Sequence, residues 1–149
     1  NKSNKKSETI INKYDTTTAS YKKLIATYNE LNAHLPSLDG GRYLGIEVKD
    51  GYIISHYSNN NSSKAKIEDI DYVKANTQYN YVKLACKNDL KCVYSSITNQ
   101  YHDYFNFNVS ASTLEKTVTL LNNFLESLKS YLASSNSGTS VNRGKSNNE

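Results

Sequence analysis

Between Ser112 and Leu132 apolar residues recur at alternating steps of four and three: Leu114, Val118, Leu121, Leu125, Leu128 and Leu132. That spacing puts them on one face of a helix. Leu120, Phe124 and Tyr131 widen the face into the broad apolar band of a helix lying on a sheet. A long C-terminal amphipathic helix is predicted over 112–133, opened by a capping box in which Ser112 and Glu115 each satisfy a backbone N–H of the first turn. A second helix is predicted over 16–35, where Tyr21, Leu24, Ile25, Tyr28, Leu31 and Leu35 share a face. Asp15 or a following Thr caps its start, and Pro36 stops it.

Between the helices, over 42–109, the period changes to two. Leu44, Ile46 and Val48 alternate with Tyr43, Gly45 and Glu47, and Asp50-Gly51 supplies the two positive-φ positions of a tight hairpin. The expected register sets Val48 against Ile53, Ile46 against Ser55 and Leu44 against Tyr57. Ser58–Lys64 reads as a polar loop, and Ala65–Ala75 as a strand with a bend or bulge. A second hairpin is expected about Lys87-Asn88-Asp89, with Val82, Leu84 and Cys86 on one arm and Leu90, Cys92 and Tyr94 on the other. Tyr101, Asp103, Phe105, Phe107 and Val109 form one face of a last strand. A meander of about six strands followed by a long helix is an α+β pattern: a bent antiparallel sheet, or partly open barrel, covered by that helix with the N-terminal helix outside.

The hairpin GRYLGIEVKDGYIISHYS, the segment KIEDIDYVKA, the hairpin YNYVKLACKNDLKCVYSS and the ending YFNFNVSASTLEKTVTLLNNFLESL resemble, in order and length, small pleckstrin-homology-like domains. The resemblance implies a strand meander capped by a C-terminal helix. Members of that family often bind phosphoinositides through a basic loop after the first strand. Here the turn is Lys49-Asp50-Gly51, so no such site carries over.

Composition separates the ends from the middle. Residues 1–14 and 134–149 are rich in Ser, Asn, Lys and Gly, too polar to offset the entropy of ordering, and read as disordered tails about one domain over 15–133. The formal net charge of +4 comes from those ends, where Lys2, Lys5, Lys6, Lys13, Arg143 and Lys145 outnumber Glu8 and Glu149. With a balanced middle, the basic pI does not point to nucleic acid. No apolar run is long enough to span a membrane. The chain starts with Asn and contains no Met, as a processed product or a shortened piece would. Read as processed, it implies export and an extracytoplasmic domain, periplasmic or on the cell surface. Its polar start would then be a tether to a lipidated N-terminus and the only link to a membrane.

Cys86 and Cys92, opposite each other in the expected hairpin, read as a disulfide staple, with two reduced core thiols the alternative. A metal site would need two further ligands, and none is adjacent. His34, His56 and His102 are scattered and read as surface residues, with no nucleophile–base or paired-acid arrangement to suggest an enzyme and no cofactor motif. Glu68, Asp69 and Asp71 lack the spacing and glycine of a Ca²⁺ loop and read as a solvated strand edge. Thirteen Tyr against three Phe and no Trp is the unusual feature. Tyr is a good strand residue, and it also gives contact area and a hydrogen bond at low entropy cost. Tyr79, Tyr81 and Tyr104, on the faces opposite Val82, Leu84, Phe105 and Phe107, are the candidate binding residues. The expected function is a non-enzymatic binding or scaffold domain for a protein or peptide, with carriage of a small apolar ligand inside the curled sheet as the alternative.

Overall fold

The computed structural model describes residues 18–144, with side chains through Ser134. The predicted tail over 1–14, residues 16 and 17 of the predicted first helix, and residues 145–149 lie outside the described part. The described elements run α1 (Ala19–His34), β1 (Tyr43–Lys49), β2 (Tyr52–Tyr57), β3 (Asn61–Lys66), β4 (Ile70–Asn76), β5 (Tyr81–Cys86), β6 (Val93–Ser95), β7 (Gln100–His102), β8 (Tyr104–Asn108) and α2 (Leu114–Gly144). This is an α+β fold, as the periodicity predicts. The strands form two antiparallel sheets, one ordered β1-β2-β3-β6-β7 and the other β4-β5-β8, and are not closed into a barrel.

The first helix starts where Thr18 accepts a hydrogen bond from the Tyr21 N–H at 3.2 Å. It gives way to a 3₁₀ turn carrying Pro36, which lacks the N–H a further turn would need. In the first hairpin Asp50 and Gly51 take positive φ, and Val48 faces Ile53 and Ile46 faces Ser55. Leu44 is a correction. A bulge between Tyr43 and Gly45 pairs Tyr43 with Tyr57, so Tyr43 is buried and Leu44 is 55% exposed. The cause lies in α1. The Asn32 amide donates to the Ile46 carbonyl at 2.9 Å and accepts from the Ile46 N–H at 2.7 Å, closing the edge of β1 as a neighbouring strand would. Glycine suits the position beside it, because φ at Gly45 is +151° and a Cβ there would press on the Asn32 Oδ1 at 3.0 Å.

Of the predicted loop Ser58–Lys64 only residues 58–60 form a turn, and the rest belongs to β3. Asn59 and Asn60 turn the chain at positive φ, which Asn tolerates. Residues 61–66 then pair along β2 with Ser63 and Ala65 inward. The inner face of the larger sheet thus carries a buried row, Ser55 opposite Ser63 opposite Ser95.

The expected second hairpin is also corrected. β5 pairs with β4 and β8, while β6 pairs with β3 and β7. The chain passes between sheets at Ile67–Asp69, at Lys87–Asp89 and at Asp103. Because the second passage resets the phase, Val93 and Ser95 point inward, and Leu90 and Tyr94, expected inward, are exposed. Tyr101 is 58% exposed for the same reason: the bend at Asp103 separates it from Phe105 and Phe107.

Cys86 and Cys92 are disulfide-linked, with Cα atoms 6.0 Å apart. The bond joins the end of one sheet to the approach to the other and does not cross a hairpin. The Cys86 N–H donates to the Asp103 carbonyl at 3.0 Å, and the two sulfurs lie 3.9 Å from the carbonyls of His102 and Asp69. These sulfur–oxygen distances are packing contacts, since oxidised sulfur has no proton to donate. All three passages therefore meet at one covalent corner.

α2 lies across β4 and β5 and packs along α1, which also touches β1. Covered on two sides, α2 buries Thr117, Leu121, Phe124, Leu128 and Tyr131, with Leu114, Val118 and Leu132 only partly buried. The Tyr28 ring lies 6.0 Å from that of Phe124, tilted by 42°, and Tyr21 lies at the same distance from Tyr131. The reciprocal side-chain and backbone bonds at the helix start join Ser110 and Thr113, in place of the predicted Ser112–Glu115 box. The helix also runs past its predicted end at 133 to Gly144. Propagation from an anchored helix needs no new nucleus, which lets the backbone continue into a polar sequence.

His34, expected at the surface, is buried at the α1–α2 contact, its Nε2 2.8 Å from the Thr117 hydroxyl. Thr117 donates to the Thr113 carbonyl, so it accepts from a protonated Nε2. Burial, then nearby Lys116, hold the His34 pKa below its ordinary value. The neutral ring's contribution is therefore complete above the ordinary histidine pKa of about 6.5 and declines as pH falls below it. The urea midpoint is expected to drop from pH 7 to pH 5, and to drop less in His34→Gln. Equal drops in the two proteins would exclude this role.

Candidate functional site

The tyrosines divide by environment. Tyr28, Tyr43, Tyr57 and Tyr131 are core residues. On the smaller sheet, inward positions go to Val82, Leu84, Phe105 and Phe107, so alternation sends Tyr81, Lys83, Tyr104 and Asn106 to the outer face. There the Tyr81 and Tyr104 rings stack at 6.2 Å with 15° between their planes, and Lys83 Nζ lies 4.6 Å from the centre of the Tyr104 ring. The Asn76 amide donates to the Tyr81 hydroxyl at 3.3 Å, and Asn106 donates to Asn108 at 2.9 Å. Burial first, then Tyr81 and Asp103, raise the Tyr104 pKa above its ordinary value. Stacked rings, a cation and amide side chains make a surface suited to planar or polar groups of a partner. Tyr79 stands apart on the β4–β5 turn, 70% exposed, its N–H donating to Asn76 and its hydroxyl accepting from Gln78 at 3.2 Å.

A second concavity, of about 180 Å³, opens between the sheets. Tyr57, Ser63, Val93 and Ser95 line it beside Tyr43, Tyr104 and Asn106, with Arg42, Ile97, Thr98 and His102 around it. His102 Nε2 is 2.7 Å from the Thr98 hydroxyl across the β6–β7 turn. His56 pairs with Glu47 at 2.9 Å on adjacent strands. Among the described residues no group of three or more His, Cys, Asp and Glu side chains is placed to hold a metal ion, and no helix is long and apolar enough to cross a membrane.

Sequence reasoning missed this concavity. Its floor depends on Ser63, assigned to a loop, and on Ser95, assigned the opposite phase. The available signal was Asn59-Asn60 followed by Ser63 and Ala65 two apart.

No protein-family model, curated protein or solved structure matches the chain.

Proposed function

We propose that this is a non-enzymatic binding or scaffold domain that recognises a protein or peptide through the outer face of β5 and β8. The stacked Tyr81–Tyr104 pair with Lys83 beside it carries the reading. Aromatic rings held by a rigid sheet lose little freedom on binding, which is why such residues dominate recognition surfaces. The disulfide supports action outside the cytoplasm, periplasmic or at the cell surface, where such bonds persist. A lipid tether at the N-terminus and kinship with small pleckstrin-homology-like domains are further parts of this reading. Carriage of a small apolar ligand is less well supported. The inter-sheet concavity, about 180 Å³, is smaller than the roughly 300–1,000 Å³ of ligand pockets and is lined by Arg42, Ser63, Ser95, Thr98 and His102.

The test is capture from an envelope extract of the native host on the immobilised domain, with bound proteins quantified against a Tyr81→Ala/Tyr104→Ala variant. A partner depleted about tenfold or more on the variant is expected for loss of two anchoring aromatics. Equal recovery on both proteins would refute the assignment of this face.

A further inference from the structure

We infer that the open edge of β8 is a second binding site, taking an extended peptide segment as an added strand with small side chains turned into the inter-sheet cavity. Among the described residues β8 has a partner strand on one side only in the smaller sheet. The Cys86 N–H donates to the Asp103 carbonyl and the Val109 N–H to the Asn80 carbonyl, each at 3.0 Å. With Leu84 opposite Phe105 and Val82 opposite Phe107, the ladder alternation turns odd-numbered backbone groups toward β5 and even-numbered ones away. The Asn108 N–H is met by the Tyr43 hydroxyl at 2.8 Å. The N–H and C=O of Tyr104 and Asn106 are left facing outward, and both residues line the cavity.

The other sheet edges are guarded. Asn32 occupies both backbone groups of Ile46 on β1. β7 is three residues long. β4 exposes Asp71 and Lys74, charges that oppose strand addition. At β8, by contrast, two donors and two acceptors at strand spacing look across a space floored by Ser63 and Ser95. An extended backbone satisfies such a row, and the small cavity fits Ala, Ser, Thr or Val at every second position. The site does not depend on the Tyr81 face.

The probe is the tightest member of a library of short random peptides selected on the whole chain, then synthesised with single N-methyl groups at successive positions. The inference expects alternate N-methyl groups to weaken binding about tenfold and intervening ones little, since each removes or spares a backbone hydrogen bond. Titration should shift the Tyr104 and Asn106 amide resonances. Asn106→Pro removes an outward N–H without touching the ladder to β5 and should weaken the peptide by a similar factor, whereas Tyr81→Ala should not. If Asn106→Pro fails to fold, the N-methyl scan and the amide shifts decide. A library that yields no binder, N-methyl groups without alternation, or unmoved Tyr104 and Asn106 amides would overturn the inference.

Discussion

Replacing Phe124 with alanine is expected to cost about 3–5 kcal/mol, a large share of the roughly 5–15 kcal/mol that holds a domain of this size together. The ring is fully buried, with Tyr28 of α1 on one side and the smaller sheet beneath the same helix. Truncation removes its transfer free energy and leaves a void that two packed elements cannot jointly collapse into. Leu114→Ala, on a partly buried residue at the helix start, is the contrast and should cost less than half as much. Urea unfolding of both variants decides. Similar losses would mean that α2 buries Leu114 as fully as Phe124, as its four-and-three spacing first suggests.

The second large effect belongs to the covalent corner. Replacing both cysteines with alanine should cost roughly 2–3 kcal/mol, because the loop closed is short, with a sequence separation of 6. The effect should also have a location. Asp69, Cys86, Cys92 and Asp103 are joined by the disulfide and its neighbouring contacts, so amide exchange should quicken first at the three passages between sheets. A uniform change in exchange, or a loss under about 0.5 kcal/mol, would show that the sheets hold each other without the bond.

Features set by local periodicity were legible in the sequence. Both helices, the Asp50-Gly51 turn and the inward alternation of Val82, Leu84, Phe105 and Phe107 follow from spacing alone. What spacing could not convey was partner choice. A run such as Val82–Cys86 alternates identically whether the next strand folds back on it or leaves for another sheet, and here it leaves. The cysteine pairing was visible, while its role as a corner joint depended on that choice. β3 was hidden by composition, since Ser62, Ser63, Lys64 and Lys66 read as solvent-loving until β2 supplies their backbone partners. Of the candidate site, the shared outward face of Tyr81 and Tyr104 was readable, but their stacking required the β5–β8 pairing.

The most direct test of the recognition surface is photo-crosslinking in the native host. A photoreactive phenylalanine analogue is placed at Tyr81 and, in a separate strain, at Tyr101, an exposed tyrosine that meets Tyr94 on the larger sheet. The account predicts a defined protein adduct from position 81 and none of the same mass from position 101. The same adduct from both positions, or an adduct from position 101 alone, would contradict it.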